Sequence, residues 1–312
     1  MFHALATWHK IVFGDCRDMR EIPSGSVHLV VTSPPYFNAP FDYPDLFKDY
    51  DEYLDLIRCV ARELRRVLAP GRVACFVTQD VRIEGKLYPV PADIVRIFVE
   101  EGFIYRDRII WRKPEGYIRI SRRSGVLIQH KLPMYYYPDN IYEEILILQN
   151  GQFDYSRIKS LPASILNKSR IDIERFQREK WYLSVWDITN VLPRQGRLEE
   201  GIAAFPEEIP YRLIRLFSFV GETVLDPFLG SGTTTKVAMQ LERNSWGYEI
   251  DLELEPIILR KLGAVHRLSD NKYVTLAGDI IEVTKRSDAR RLRTFLQEKI
   301  KAKPSVTRKR KR

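Results

Sequence analysis

Thr32-Ser33-Pro34-Pro35-Tyr36 and, far downstream, Asp226-Pro227-Phe228-Leu229-Gly230-Ser231-Gly232-Thr233-Thr234 are the two segments whose residue types could do chemistry. In the first, consecutive prolines fix φ and abolish two N–H donors, leaving a stiff loop that presents carbonyl oxygens. Those carbonyls and the Ser33 hydroxyl can accept hydrogen bonds from an NH2 group, and Tyr36 offers a flat face for a ring to stack on. Such a loop suits an aromatic amine. In the second, Gly230 and Gly232 permit a sharp turn and let a ligand approach the backbone without an intervening Cβ. Ser245-Trp246-Gly247-Tyr248-Glu249 then ends in a carboxylate that can accept both hydroxyls of a ribose. Gly-Lys-Ser and Gly-Lys-Thr are absent, so a nucleoside without phosphates fits better than ATP. Taken singly, each segment has a plainer reading: an ordinary strand-to-helix turn, or a Pro-Pro-Tyr surface ligand for a small binding domain.

Both segments follow apolar runs of strand length, and open α/β sheets bind ligands beyond the carboxyl ends of their strands. Seven runs are predicted as strands: Lys10 to Phe13, Val27 to Val31, Val73 to Thr78, Phe103 to Trp111, Ile141 to Leu148, Thr223 to Asp226 and Ser245 to Glu249. Helical patterns between them predict a doubly wound α/β fold on a mixed sheet. The clearest helix carries Tyr50, Tyr53, Leu54, Ile57, Val60, Ala61, Leu64, Val67 and Leu68 on one face and stops at Pro70-Gly71. Others are predicted from Pro91 to Gly102, Glu207 to Phe219, Thr233 to Leu241 and Leu252 to Leu262. Residues 116–134 and 151–201 are rich in Arg, Lys, Tyr, Ser and Ile. They are predicted to interrupt the sheet order instead of extending it and to form a nucleic-acid contact surface, the alternative being a cap or dimer surface.

A chain of 312 residues with 45% hydrophobic content can bury a full core. Its net charge of +9 attracts polyanions, nucleic acid first among them. Cys16, Cys59 and Cys75 fall in no paired spacing, which argues against a disulfide framework and a zinc site and for a reducing cytoplasm. No metal is expected, and no apolar run is long enough to enter a membrane. Residues 299–312 end in Thr-Arg-Lys-Arg-Lys-Arg and are predicted to be a mobile basic tail, able to add phosphate attraction or simply a solvated end.

These motifs together resemble the amino-methyltransferases that use S-adenosylmethionine, in the permuted order that places the catalytic motif ahead of the cofactor motif. Thr-Ser-Pro-Pro-Tyr is similar to the N4-cytosine form of the catalytic motif, in which adenine enzymes more often carry Asp in place of Ser33. Further matches are Phe13 to Met19, Leu68 to Arg72, Ile109 to Gly116, Ala203 to Ile214 and Tyr248 to Asp251. The resemblance implies a class I methyltransferase sheet, circularly permuted, and four regions. Residues 1–115 would be the catalytic half, 116–201 insertions holding one strand (141–148), 202–285 the cofactor half and 286–312 a basic tail.

It also implies site residues. Ser33, Pro34, Pro35 and Tyr36 would be catalytic. Asp15, Thr32, Asp226, Pro227, Phe228, Gly230, Ser231, Gly232, Thr233, Thr234 and Glu249, with Phe205 and Pro206, would serve the cofactor. Asp15 is expected at its adenine, although Leu276-Ala277-Gly278-Asp279 has the same strand-then-Gly-Asp look. The chain departs from the family pattern in carrying Gly201-Ile202-Ala203-Ala204 ahead of Phe205-Pro206, where His or Lys with Pro is usual.

The expected reaction is direct transfer to the N4 amine of cytosine, with the base flipped out of any duplex. No cysteine follows a proline, so attack at ring carbon 5 is disfavoured. DNA is the substrate that the resemblance implies, structured ribosomal RNA is the alternative, and a non-catalytic nucleic-acid-binding relic is the second alternative. The sequence leaves the oligomeric state undetermined.

Overall fold

All seven predicted strands form, and they join one sheet whose central members are buried on both faces. The computed structural model describes residues 6–38, 46–114, 132–134, 138, 140–189 and 205–292. Its strands are β1 (Trp8–Phe13), β2 (Val27–Thr32), β3 (Leu68–Thr78), β4 (Val81–Ile83), β5 (Lys86–Tyr88), β6 (Ile104–Arg112), β7 (Tyr142–Gln149), β8 (Val185–Asp187), β9 (Thr223–Asp226), β10 (Asn244–Glu249), β11 (Ala264–Ser269), β12 (Lys272–Thr275) and β13 (Ile280–Lys285). Its helices are α1 (Tyr50–Val67), α2 (Val90–Glu100), three short turns α3 (Ser156–Lys159), α4 (Ala163–Lys168) and α5 (Ile173–Arg178), then α6 (Glu208–Phe217), α7 (Thr233–Gln240) and α8 (Glu255–Lys261).

Among the described residues the main sheet runs β11-β12-β13-β1-β10-β9-β2-β3-β7-β6-β8. Strands β1, β10, β9, β2 and β3 are mutually parallel, and β7 runs antiparallel between β3 and β6. Side chains alternate across β2: Val30 packs with α1 and α2 on one face, while Leu29 and Val31 pack with α6 and α7 on the other. This two-sided burial is why β2 reads as an unbroken apolar run.

Helix α1 starts where Asp49 accepts the Glu52 amide at 2.9 Å, with Asp51 and Glu52 at the positive end of its dipole and Arg65 and Arg66 at the negative end. It stops at Val67, before Pro70-Gly71. That pair lies inside β3, where Gly71 has φ +79° and an added Cβ would stand 2.3 Å from the Phe153 Cα. Glycine serves there for a close backbone approach, not as a helix stop.

Two edges depart from the predicted order. Part of the second insertion extends the sheet, because β8 pairs in parallel with β6 and buries Trp186 beside Trp111. Three residues are too few to show periodicity. At the opposite edge, β11, β12 and β13 add a meander that ends in parallel pairing of β13 with β1. Strand β11 is exposed and β12 has only four residues, so neither carries an apolar signature. Residues 116–131, 190–201 and 299–312, on which the predicted insertions and tail partly fall, lie outside the described residues.

Gly71→Ala is expected to lower the unfolding free energy by about 2–4 kcal/mol, from the backbone clash added to left-handed strain. Gly25→Ala has φ +66° and open space around its Cβ, so it should lose only about 1–2 kcal/mol. Urea unfolding of the two variants side by side checks the difference.

Candidate active site

Four neighbouring strands, β1, β10, β9 and β2, end at the same edge of the sheet, and the residues just beyond each end line a single cavity. Gly14 to Arg17 follow β1, and Glu249 with Ile250 closes β10. Pro227, Phe228 and Gly230 follow β9, and Ser33 to Tyr36 follow β2. The two motifs that stand far apart in the chain therefore share one chamber, with Ser33 and Glu249 both on its wall.

A buried hydrogen bond ties the motifs together. Thr32 Oγ1 donates to Asp226 Oδ1 at 2.6 Å, joining the carboxyl ends of β2 and β9, and the Phe228 amide donates to the same oxygen at 3.1 Å. Thr234 Oγ1 adds a bond to the Val31 carbonyl at 3.2 Å. Burial pushes the Asp226 carboxyl up to about 6, against the downward pull of the Thr32, Thr234 and Phe228 donors.

Glu249 is held from two sides: Gly230 N donates to Oε2 at 2.8 Å and Asp251 N to Oε1 at 2.9 Å. Burial pushes it up to about 7, opposed by those amides. Each oxygen retains a second lone pair, so the group can still accept hydroxyl donors from a ligand. An added Cβ on Gly247 would meet both Leu229 δ carbons at 2.8 Å, so the Leu229 side chain packs directly over this glycine of β10.

On the other wall, Tyr36 is 6% exposed and its hydroxyl donates to Glu143 at 2.8 Å. Glu143 also pairs with Lys113 at 2.5 Å. This chain of contacts fixes the tyrosine ring at the cavity edge, whereas the sequence suggested only a flat stacking face. Phe37 is set among Tyr50, Tyr53 and Tyr88, which roots the same loop in the core.

Several expected residues sit behind the cavity, not on its wall. Thr32 and Asp226 are occupied with each other. Lys261 Nζ bonds Ser231 Oγ at 2.6 Å and Thr233 Oγ1 at 3.0 Å, and Gly232, with φ +86°, starts α7. Phe205 and Pro206 precede α6; Phe205 packs against the apolar core and Pro206 is buried. Asp15 does line the cavity. Burial would raise its carboxyl, but the Arg17 hydrogen bonds and charge outweigh that and hold it below the usual range.

Asp279 lies at the far end of the sheet, where it accepts from Thr7 N at 3.0 Å and Thr7 Oγ1 at 2.7 Å. It belongs to the entry into β1, and the similarity of its Gly-Asp to that of Asp15 is local only. Residues not foreseen also line the cavity: Leu46 and Phe47 ahead of α1, Glu52 and Leu56 on α1, and Arg290 and Leu292 after β13. The last pair comes from the segment expected to begin the basic tail, and it forms part of the wall.

Among the described residues no helix is long and apolar enough to cross a membrane, and no group of three or more His, Cys, Asp or Glu could hold a metal ion.

A family profile described as DNA methylase matches residues 27–260. The type II methyltransferase M.MjaI of Methanocaldococcus jannaschii is 38% identical over 296 residues, covering 83% of this chain and 92% of the relative. M.MthZI of Methanothermobacter thermautotrophicus is 31% identical, covering 89% of this chain and 83% of the relative. Among solved structures, a putative DNA modification methylase of Thermus thermophilus, TTHA0409, in complex with S-adenosyl-L-methionine superposes with a TM-score of 0.66 at 30% identity, covering 89% of this chain and 99% of that one.

Thr32→Val removes a donor from buried Asp226 and is expected to cost about 1–3 kcal/mol at pH 8. A carboxyl raised from 3.8 to about 6 stabilises the fold below its unfolded value, and that contribution is lost as pH rises through about 6. The variant should push this loss to higher pH, so its deficit should be smaller at pH 5 than at pH 8 in urea titrations.

Proposed function

This chain belongs to the DNA methylase family, and from that premise we propose that it methylates the exocyclic N4 amine of cytosine. The observation that carries the base assignment is Ser33, standing where adenine enzymes more often have Asp, on the wall of the cavity that also holds Glu249. S-adenosylmethionine is the cofactor of this family. When bound, it supplies an electrophilic methyl group on a positively charged sulfur.

The cavity fits that donor. Glu249, anchored by two backbone amides, has lone pairs for both ribose hydroxyls, and Asp15 can accept from the adenine amine. Gly230 brings backbone to the cavity without a side chain, and Pro227 and Phe228 border the same space. Thr32, Asp226, Ser231, Gly232, Thr233 and Thr234 would act from behind as the frame that sets these groups, while Phe205 and Pro206 would steady the loop ahead of α6.

The amine of cytosine is conjugated with its ring and is a poor nucleophile. Ser33 Oγ and the Pro34 carbonyl would accept its two hydrogens, favour a more tetrahedral nitrogen and aim the lone pair at the donor. Fixing two reactants in attack geometry can remove roughly 7–11 kcal/mol of barrier. Pro35 keeps the loop rigid, and Tyr36, fastened through Glu143 and Lys113, offers its ring to the base. A paired cytosine hides this amine, so duplex DNA would have to release the base into the cavity for a few kcal/mol.

Transfer from methyl-labelled S-adenosylmethionine into DNA, followed by nucleoside analysis, should reveal N4-methylcytosine. N6-methyladenine would contradict the base assignment, and label in ribosomal RNA alone would contradict the substrate. Ser33→Ala should cut kcat by about tenfold or more while leaving the cofactor Kd within about twofold.

Affinity for the cofactor should also rise with pH. Hydroxyl donors favour ionised Glu249, so binding should strengthen by up to about tenfold per pH unit below about 7 and level off above it. Glu249→Gln should weaken binding and flatten that profile in calorimetric titrations.

A further inference from the structure

After β13 ends at Lys285, the chain crosses back over the carboxyl ends of β1 and β10. Its backbone is pinned to both. Arg286 N donates to the Phe13 carbonyl at 2.8 Å, and Arg290 N to the Ile250 carbonyl at 2.8 Å. The Leu252 amide donates to the Arg290 carbonyl at 2.8 Å, and Leu292 N to Asp251 Oδ1 at 3.2 Å. Side chains reinforce the crossing. Arg286 donates to Asp288 at 3.1 and 2.7 Å and to the Asp18 carbonyl at 2.6 Å, and Asp288 accepts the Asp15 amide at 3.3 Å. An added Cβ on Gly14 would stand 2.7 Å from Arg286 Cδ, so the loop and the crossing segment are in close contact.

Arg290 and the buried Leu292 line the cavity beside Asp15, Glu249 and Ile250. The charge of Arg290 also helps keep Asp15 ionised. The segment thus connects the two loops that carry the groups assigned to adenine and ribose. It lies beyond residues 27–260, so the family match says nothing of it.

We propose that residues 286–292 form a strap over the nucleoside half of the cofactor pocket, with Leu292 and Arg290 as direct contacts to adenosine and Arg286 as the residue that positions them. The proposal rests on the cofactor assignment above and extends it. An adenine ring needs an apolar surface on one side and tolerates a guanidinium over its face, and this pair supplies both. Because the strap meets the cavity next to Asp15 and Glu249, it should read the nucleoside and not the methionine part of the donor.

The test is calorimetric titration of the full-length protein with S-adenosylmethionine, S-adenosylhomocysteine and 5′-methylthioadenosine, which lacks the amino-acid part. Arg290→Ala and Leu292→Ala are expected to raise Kd about fivefold or more for all three probes alike. Arg291→Ala, an exposed neighbour that is not on the cavity wall, should change none of them. Wild-type binding with both cavity-facing variants within twofold of it would overturn the strap. So would a loss seen for S-adenosylmethionine and absent for methylthioadenosine. Failure of the wild type itself to bind any probe would instead strike the underlying cofactor site. Arg290 is exposed, so Arg290→Ala and Arg290→Glu decide the question even where Leu292→Ala does not fold.

Discussion

The hydrogen bond from Thr32 to Asp226 is the constraint on which the site depends. It holds together the ends of two parallel strands, β2 and β9, one leading into the rigid Ser-Pro-Pro-Tyr loop and the other into the glycine loop. On either side the same logic continues, with Glu249 clasping Gly230 and the Gly14 amide donating to the Glu249 carbonyl at 2.8 Å. Position in the sheet, not order in the chain, brings Ser33 and Glu249 onto the wall of one cavity. A permuted sequence can therefore build the same chamber.

That arrangement has an energetic cost. Two carboxyls are buried at the strand ends, and both are pushed upward, to about 6 for Asp226 and about 7 for Glu249. Each is tolerated because backbone amides or hydroxyls face it. Glu249 differs from Asp226 in lying on the cavity wall, so a ligand can supply the donors that its ionised form needs. The Tyr36–Glu143–Lys113 chain, buried at its first two members and half-buried at the lysine, does comparable work on the opposite wall, holding an aromatic ring that a free loop would let wander.

Much of this was legible in the sequence, for physical reasons that can be named. The parallel strands β1, β2, β3, β9 and β10 were visible because they are largely buried and read as apolar runs, and antiparallel β7 because Ile145 to Leu148 are buried too. Ser33 and Glu249 were visible because their motifs follow such runs. Strands β8, β11 and β12 were not, being short or exposed, and six-residue β13 was missed although it buries Ile281 and Val283.

Glu143 escaped notice because β7 is antiparallel: its beginning, not its end, lies at the cavity. Lys113 had a faint signal in its Trp-Arg-Lys-Pro setting. Arg290 and Leu292 had none, since only the fold carries them back across β10. Pro70-Gly71 misled, because a pair that commonly ends helices here serves a close approach inside β3.

The most direct measurement is a crystal structure of the protein with S-adenosylhomocysteine. The account predicts both ribose hydroxyls within about 3 Å of the Glu249 carboxylate and the sulfur turned toward the segment from Ser33 to Tyr36. A ligand seated away from Glu249, or one whose sulfur points away from Ser33, would contradict it.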